Sequence, residues 1–161
     1  NPRSAYAQSK LVGERSALDH GALVVRLQWV YQPRQPGFFT RAIESMAAGN
    51  TVRLVTDQVG CPTPAEVVGP ALIKAARSEI SGLYHLACRG EATAYDWIAR
   101  GAKQAGVALK ADPITRETLT GAHRPARSCL DPSRFENTFE VRMPHWEAAL
   151  DMAMAGWSGR N

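Results

Sequence analysis

The sequence predicts an α/β fold with parallel strands, and three observations predict it. Helix-like and strand-like patterns alternate through the first half of the chain, the order that winds a parallel sheet. The stretch "ALVVRLQWVY" is β-rich and mostly apolar, as a strand covered on both faces would be. Turn residues separate the patterned stretches, at Gly21, "QPRQPG" and Gly49-Asn50. The second half is more helical and less regular. The shape is that of a doubly wound sheet without its beginning.

Tyr6 to His20 reads as a helix, with Leu11, Val12 and Leu18 on one side and Gly21 as a stop. The apolar strand follows, then a loop, then a helix over Phe38 to Ala48 and a short strand "TVRLV". In "TDQVGCPTPAEVV" Thr63 is placed to cap a helix, with Pro64 at its first position and Glu66 completing a capping box. Gly69-Pro70 should kink or interrupt that helix. "GLYHLA" reads as a strand. "TAYDWIARGAKQAG" reads as a helix capped by Thr93 with Asp96 three residues on and ended by Gly106. From Lys110 to Arg127 no period emerges. "DPSRF" and "MPHWEAALDMAMAGW" each place a proline just inside a helix.

The 161 residues fit one domain or one and a half small ones, long enough to bury a core without staples. Cys61, Cys88 and Cys129 are an odd number without metal-like spacing, which suggests free thiols in a reducing compartment. No apolar run approaches a membrane span and no signal peptide opens the chain, so a soluble, cytoplasmic protein is expected. The net charge of +4 comes from 19 Lys and Arg against 15 Asp and Glu, mostly as arginine. The basic residues are scattered and not interleaved with aromatics, which argues against nucleic acid and for a small anionic ligand. The four histidines show no metal spacing, and no metal is expected. No Ser-His-Asp arrangement or Cys-x-x-Cys is present.

Tyr6 and Lys10 lie four apart on the first helix and share a face. A cation there stabilises the phenolate that remains when the phenol gives up its proton, so the pair suits general acid catalysis at a carbonyl oxygen. The run "YAQSKLVGE", "VVRLQWVY", "DQVGCPT", "RPARSCLD", "MPHWEAAL" in that order resembles the dTDP-4-dehydrorhamnose reductases, within the extended short-chain dehydrogenase/reductases. The last-named family's Tyr/Lys pair and "WVY" strand are widely shared. "DQVGCPT" and "RPARSCLD" are narrower.

The resemblance implies the C-terminal part of a Rossmann-like doubly wound sheet plus a small mixed α/β substrate-binding domain. It would divide the chain into 1–36 with 64–90, and 37–63 with 91–161. It puts the catalytic tyrosine at Tyr6 and the lysine at Lys10, which would also hold the nicotinamide ribose of NADPH or NADH. It puts an aromatic beside the sugar ring at Trp29, for which a core indole is the alternative. "DQVGCPT" is expected to be structural more than ligand-touching. Arg124 is expected to grip the diphosphate of a nucleotide sugar, or else to pack across a domain interface. Another nucleotide-sugar reductase or epimerase remains an alternative, as does a non-catalytic relative such as a methionine adenosyltransferase regulatory subunit.

The family's glycine-rich turn has no counterpart here. The chain is therefore expected to be the C-terminal half of an enzyme, inactive and without NADPH affinity alone. A strand left at the sheet edge should make it a homo-oligomer.

Overall fold

In the computed structural model, residues 5–119 and 125–157 are described. Along the chain run α1 (Ala5–Asp19), β1 (Leu23–Leu27), β2 (Val30–Tyr31), α2 (Phe38–Ala47), β3 (Val52–Val55), β4 (Val59–Gly60) and β5 (Thr63–Pro64). Then come α3 (Ala65–Ala76), β6 (Gly82–Leu86), β7 (Ala92–Thr93), α4 (Ala94–Gln104), β8 (Ala111–Ile114), α5 (Ser133–Phe139) and α6 (Trp146–Met154). The strands pair two by two: β1 with β6, β2 with β5 and β3 with β8 in parallel, and β4 with β7 antiparallel. This is the mixed α/β architecture with parallel pairing that the alternation predicts.

Two apolar cores hold these ladders. In one, α3 and α5 lie against β6, and Val68, Ala71, Ala75, Tyr84, Leu86, Phe135 and Phe139 are buried together. In the other, α2, α4 and α6 close over Leu54 of β3 with Phe39, Ile43, Met46, Trp97, Ile98 and Leu150. Each such large side chain contributes roughly 1.5–3 kcal/mol by leaving water. Gly101 lets α4 approach α2 closely, since a Cβ there would stand 2.5 Å from the Phe39 ring. The Thr93–Asp96 capping box forms as expected: the Thr93 hydroxyl accepts from the Asp96 amide at 3.1 Å, and the Asp96 carboxylate accepts from the Thr93 amide at 3.1 Å. α1 is tied to β1 by a two-pronged contact, Arg26 Nε and Nη2 donating to Glu14 at 2.6 and 2.7 Å.

Several expectations are corrected. "ALVVRLQWVY" is not one strand buried on both faces: it breaks at Gln28-Trp29, where Trp29 takes φ 40°, and β1 is only partly buried. Thr63 is not a helix cap. It lies in β5, donates its hydroxyl to the Cys61 carbonyl at 2.9 Å and accepts from the Cys88 amide at 3.1 Å. Pro64 holds the cap position, and no side chain caps α3. Pro70 sits within an uninterrupted α3. Gly69 before it lacks the Cβ that a proline ring would crowd in a helical predecessor.

Between Lys110 and Arg127 the structure adds β8 and a 3-10 turn, Arg116–Thr118. Pro113 is tolerated there because β8 pairs on one side only among the described residues. Pro132 and Pro144 precede their helices instead of standing inside them.

Candidate active site

A cleft of about 1000 Å³ opens where the broken strand, the loop after it, α2, α4 and the β3–β8 ladder meet. Its apolar wall is aromatic. The Trp29 and Trp97 rings lie 6.0 Å apart, Phe38 is 6.0 Å from Trp97, and Tyr31 meets Trp97 edge-on at 4.8 Å. Burial pushes the Tyr31 phenol well above its ordinary range, so it stays neutral. Tyr31 Oη and Trp97 Nε1 are both buried without a hydrogen-bond partner among the described residues.

Local structure explains why Trp29 stands there. Its backbone is in the left-handed region, uncommon for any residue with a side chain. Its carbonyl accepts from the Thr63 amide at 3.1 Å, and its indole lies flat against Gly60. The preceding Gln28 carboxamide bridges two segments: its oxygen accepts from the Cys61 amide at 3.1 Å, and its nitrogen donates to the Ser128 carbonyl. "DQVGCPT" is thus largely scaffolding around Trp29. Asp57 accepts from the Arg116 amide at 2.7 Å and faces the Arg116 side chain at 3.7 Å, while Gln58 lines the cleft.

The polar side of the cleft carries Arg53 and Arg116. Arg116 is shared with Asp57, whereas Arg53 has no carboxylate partner among the described residues. The first turn of α2 also opens here. Its cap residue Gly37 supplies no side-chain hydrogen bond, and Thr40 instead donates to the Gln35 carbonyl at 2.7 Å, which ties down the loop. Arg34 fastens the same loop to the end of α6 through the Ala155 carbonyl at 2.8 Å.

Of the residues singled out in the sequence, Trp29 lines this cleft, half-buried, and also packs against the core of α2, α4 and α6. Tyr6 and Lys10 do share a face of α1, with Lys10 Nζ 5.7 Å from the Tyr6 ring centroid. They are solvent-exposed and are not part of the cleft lining. Arg124 lies outside the described residues. Its neighbour Arg127 is engaged by Glu91, with Nε 3.2 Å from the carboxylate. Sequence reasoning missed Arg53, Arg116, Phe38 and Trp97, which come from four separate elements with no motif joining them.

The chain matches the family described as RmlD substrate binding domain over residues 1–157. It is 30% identical to the dTDP-4-dehydrorhamnose reductase of Salmonella typhimurium over 93% of this chain and 55% of that protein. It is 31% identical to the enzyme of the same name from Sinorhizobium fredii, over 91% of this chain and 54% of that one. The chain spans about half the length of the curated relatives it matches. Among solved structures, a dTDP-4-dehydrorhamnose reductase from Bacillus anthracis in complex with NADP superposes with TM-score 0.90 at 22% identity, covering 97% of this chain and 57% of that one. An orthologue from Clostridium acetobutylicum superposes with TM-score 0.87 at 28% identity, over 96% and 56%.

Proposed function

Because the chain belongs to the RmlD substrate binding domain family, we propose that it serves in an NADPH-dependent reductase that converts the 4-keto group of dTDP-4-dehydro-L-rhamnose to the alcohol. The observation that carries this reading is the cleft itself, an aromatic wall led by Trp29 facing Arg53, Arg116 and the uncapped start of α2. A sugar ring and base pack on aromatic faces, and a diphosphate suits arginine forks and helix N-terminal amides. Arg124 joins them in this proposal.

Tyr6 and Lys10 present a phenol and an ammonium on the open face of α1. That donor set fits a nicotinamide nucleotide, with Lys10 holding the ribose hydroxyls. The bound cofactor supplies the hydride. Tyr6 donates its phenolic proton to the sugar oxygen as the carbonyl becomes an alkoxide, and the Lys10 ammonium stabilises the phenolate left behind. The aromatic wall excludes water from the sugar. We further propose that the protein is a homo-oligomer. β1 pairs only with β6 among the described residues, and Leu27, Val30 and Val12 are exposed nearby in sequence.

The test is NADPH oxidation by the full-length polypeptide with dTDP-4-dehydro-L-rhamnose, beside a UDP-4-keto sugar. Turnover of the first, lost roughly a hundredfold or more in Tyr6→Phe, is expected. Equal turnover by the Phe variant, or preference for the UDP sugar, defeats the reading.

A further inference from the structure

The three cysteines, far apart in sequence, line one second cavity of about 360 Å³ that shares no lining residue with the Trp29 cleft. Cys61 and Cys88 are buried, and Cys129 is partly exposed. The backbone explains how the first and last meet. Val59 and Arg127 form a parallel bridge, with the Val59 amide donating to Ala126 at 2.7 Å and the Ser128 amide to Val59 at 3.1 Å. Two residues further along each segment stand Cys61 and Cys129. There the Gln28 carboxamide is inserted as a substitute rung, between the Cys61 amide and the Ser128 carbonyl. Cys61, Cys129 and the Glu91 carboxylate line this cavity together. Among the described residues no group of three His, Cys, Asp or Glu is arranged to hold a metal ion, so the juxtaposition is one of thiols.

We propose that Cys61 and Cys129 are a redox-modifiable dithiol, closed to an intramolecular disulfide by hydrogen peroxide, and that closure acts on Trp29 through Gln28 and Gly60. Cys129 is the half that an oxidant can reach. Its sulfur attacks the peroxide O–O bond, giving a sulfenic acid and one water. The Cys61 sulfur then displaces the hydroxyl, the S–S bond forms, and a second water leaves with the remaining proton. Two thiols lose two electrons and the peroxide gains them. A disulfide holds its sulfurs about 2.05 Å apart, closer than a thiol contact, so closure draws the two segments together across the Gln28 rung. Gln28 directly precedes Trp29, and Gly60, directly before Cys61, is the surface on which the indole rests.

The surroundings of Cys129 slow the first step at neutral pH. Burial and the neighbouring Cys61 push Cys129 up to about 12, Glu91 adds to the rise, and Arg127 opposes it. Burial likewise pushes Cys88 up to about 12. Arg89 and Asp131 complete the charged rim of the cavity. Oxidation through the thiolate is therefore expected to accelerate about tenfold per pH unit on the alkaline side of neutrality.

The test is treatment of the purified chain with hydrogen peroxide at pH 7 and pH 9, followed by thiol titration under denaturing conditions and peptide mapping. Expected are one remaining thiol, a Cys61–Cys129 peptide within a single chain, reversal by dithiothreitol and faster loss at the higher pH. Cys88→Ser should form the same Cys61–Cys129 link with no thiol remaining, and Cys129→Ser should form no intramolecular bond. Tryptophan emission should change on oxidation, and that change should vanish in Trp29→Phe. Three surviving thiols, a Cys61–Cys88 link, or linkage only between chains overturns the proposal. Emission that ignores oxidation overturns its coupling to the cleft.

Discussion

Trp29 rests on Gly60 so closely that a Cβ at position 60 would stand 2.5 Å from its Cε2 atom. Gly60 is buried in β4 and paired with Ala92, so its backbone has little freedom to retreat. Gly60→Ala must therefore move the indole. The expected cost is about 1–3 kcal/mol in urea unfolding, with a shifted tryptophan emission and weaker nucleotide-sugar binding. An alanine variant with native stability and emission contradicts the contact.

Glu136 of α5 is a buried carboxylate beside the core that covers β6, with its side chain fully enclosed. Arg89 donates to it, the Met143 amide donates at 2.8 Å, and Arg142 stands 3.9 Å away. The Arg89 contact holds its carboxyl below the usual glutamate range, against the opposing effect of burial. A depressed folded value means that this stabilisation is complete above the ordinary glutamate value and is lost as pH falls through the lower, folded one. Glu136→Gln should flatten the acid limb of stability against pH. Glu136→Ala should lose about 2 kcal/mol at neutral pH, since the Met143 amide is left unpaired. Parallel acid limbs for wild type and Gln variant would remove Glu136 from the account.

Arg53 and Arg116 should not be equivalent. Arg116 is partly neutralised by Asp57, whereas Arg53 lines the cleft without a carboxylate partner among the described residues. In a titration with dTDP, Arg53→Ala should weaken binding more than Arg116→Ala, and Arg53→Lys should recover only part, because a point charge does not reproduce a bidentate fork. Binding unchanged by Arg53→Ala would take the diphosphate away from this wall.

Lys10 is assigned two duties, and they are separable. In the full-length polypeptide, Lys10→Met should lower kcat and also raise the Kd for NADPH. Lys10→Arg should restore much of the cofactor affinity but less of the turnover, since the charge returns in a different shape. A Met variant that binds NADPH as tightly as wild type leaves the lysine with the phenol alone.

What could be read in the sequence is what neighbours along the chain decide. The shared face of Tyr6 and Lys10 follows from helical spacing, and the Thr93–Asp96 box is a local exchange of hydrogen bonds. β8 was not legible, because Asp112 and Pro113 have poor strand preferences and become a strand only by lying beside β3. The turn of Trp29 out of the strand was hidden for the same reason. Gly60, Thr63 and the Gln28 contacts that hold it belong to segments more than thirty residues away. The aromatic character of position 29 was visible, but its partner Trp97 was not, since only the packing of α4 brings the two rings together.

The pairing of the strands has a consequence for how the chain acquires its shape. Leu23 meets Gly82 and Val52 meets Ala111, so each of the two longer ladders closes a loop of about sixty residues before its first rung can form. Even the short β2–β5 and β4–β7 contacts span some thirty. Among the described residues no ladder is a hairpin that could zip locally. On the ribosome the β1–β6 ladder must wait until β6 has emerged, while α1 and α2 can form as they appear. Slow synthesis between residues 27 and 82 would lengthen that wait, and the apolar segment around Val24 and Val25 is the part of the chain that spends it without its β6 partner.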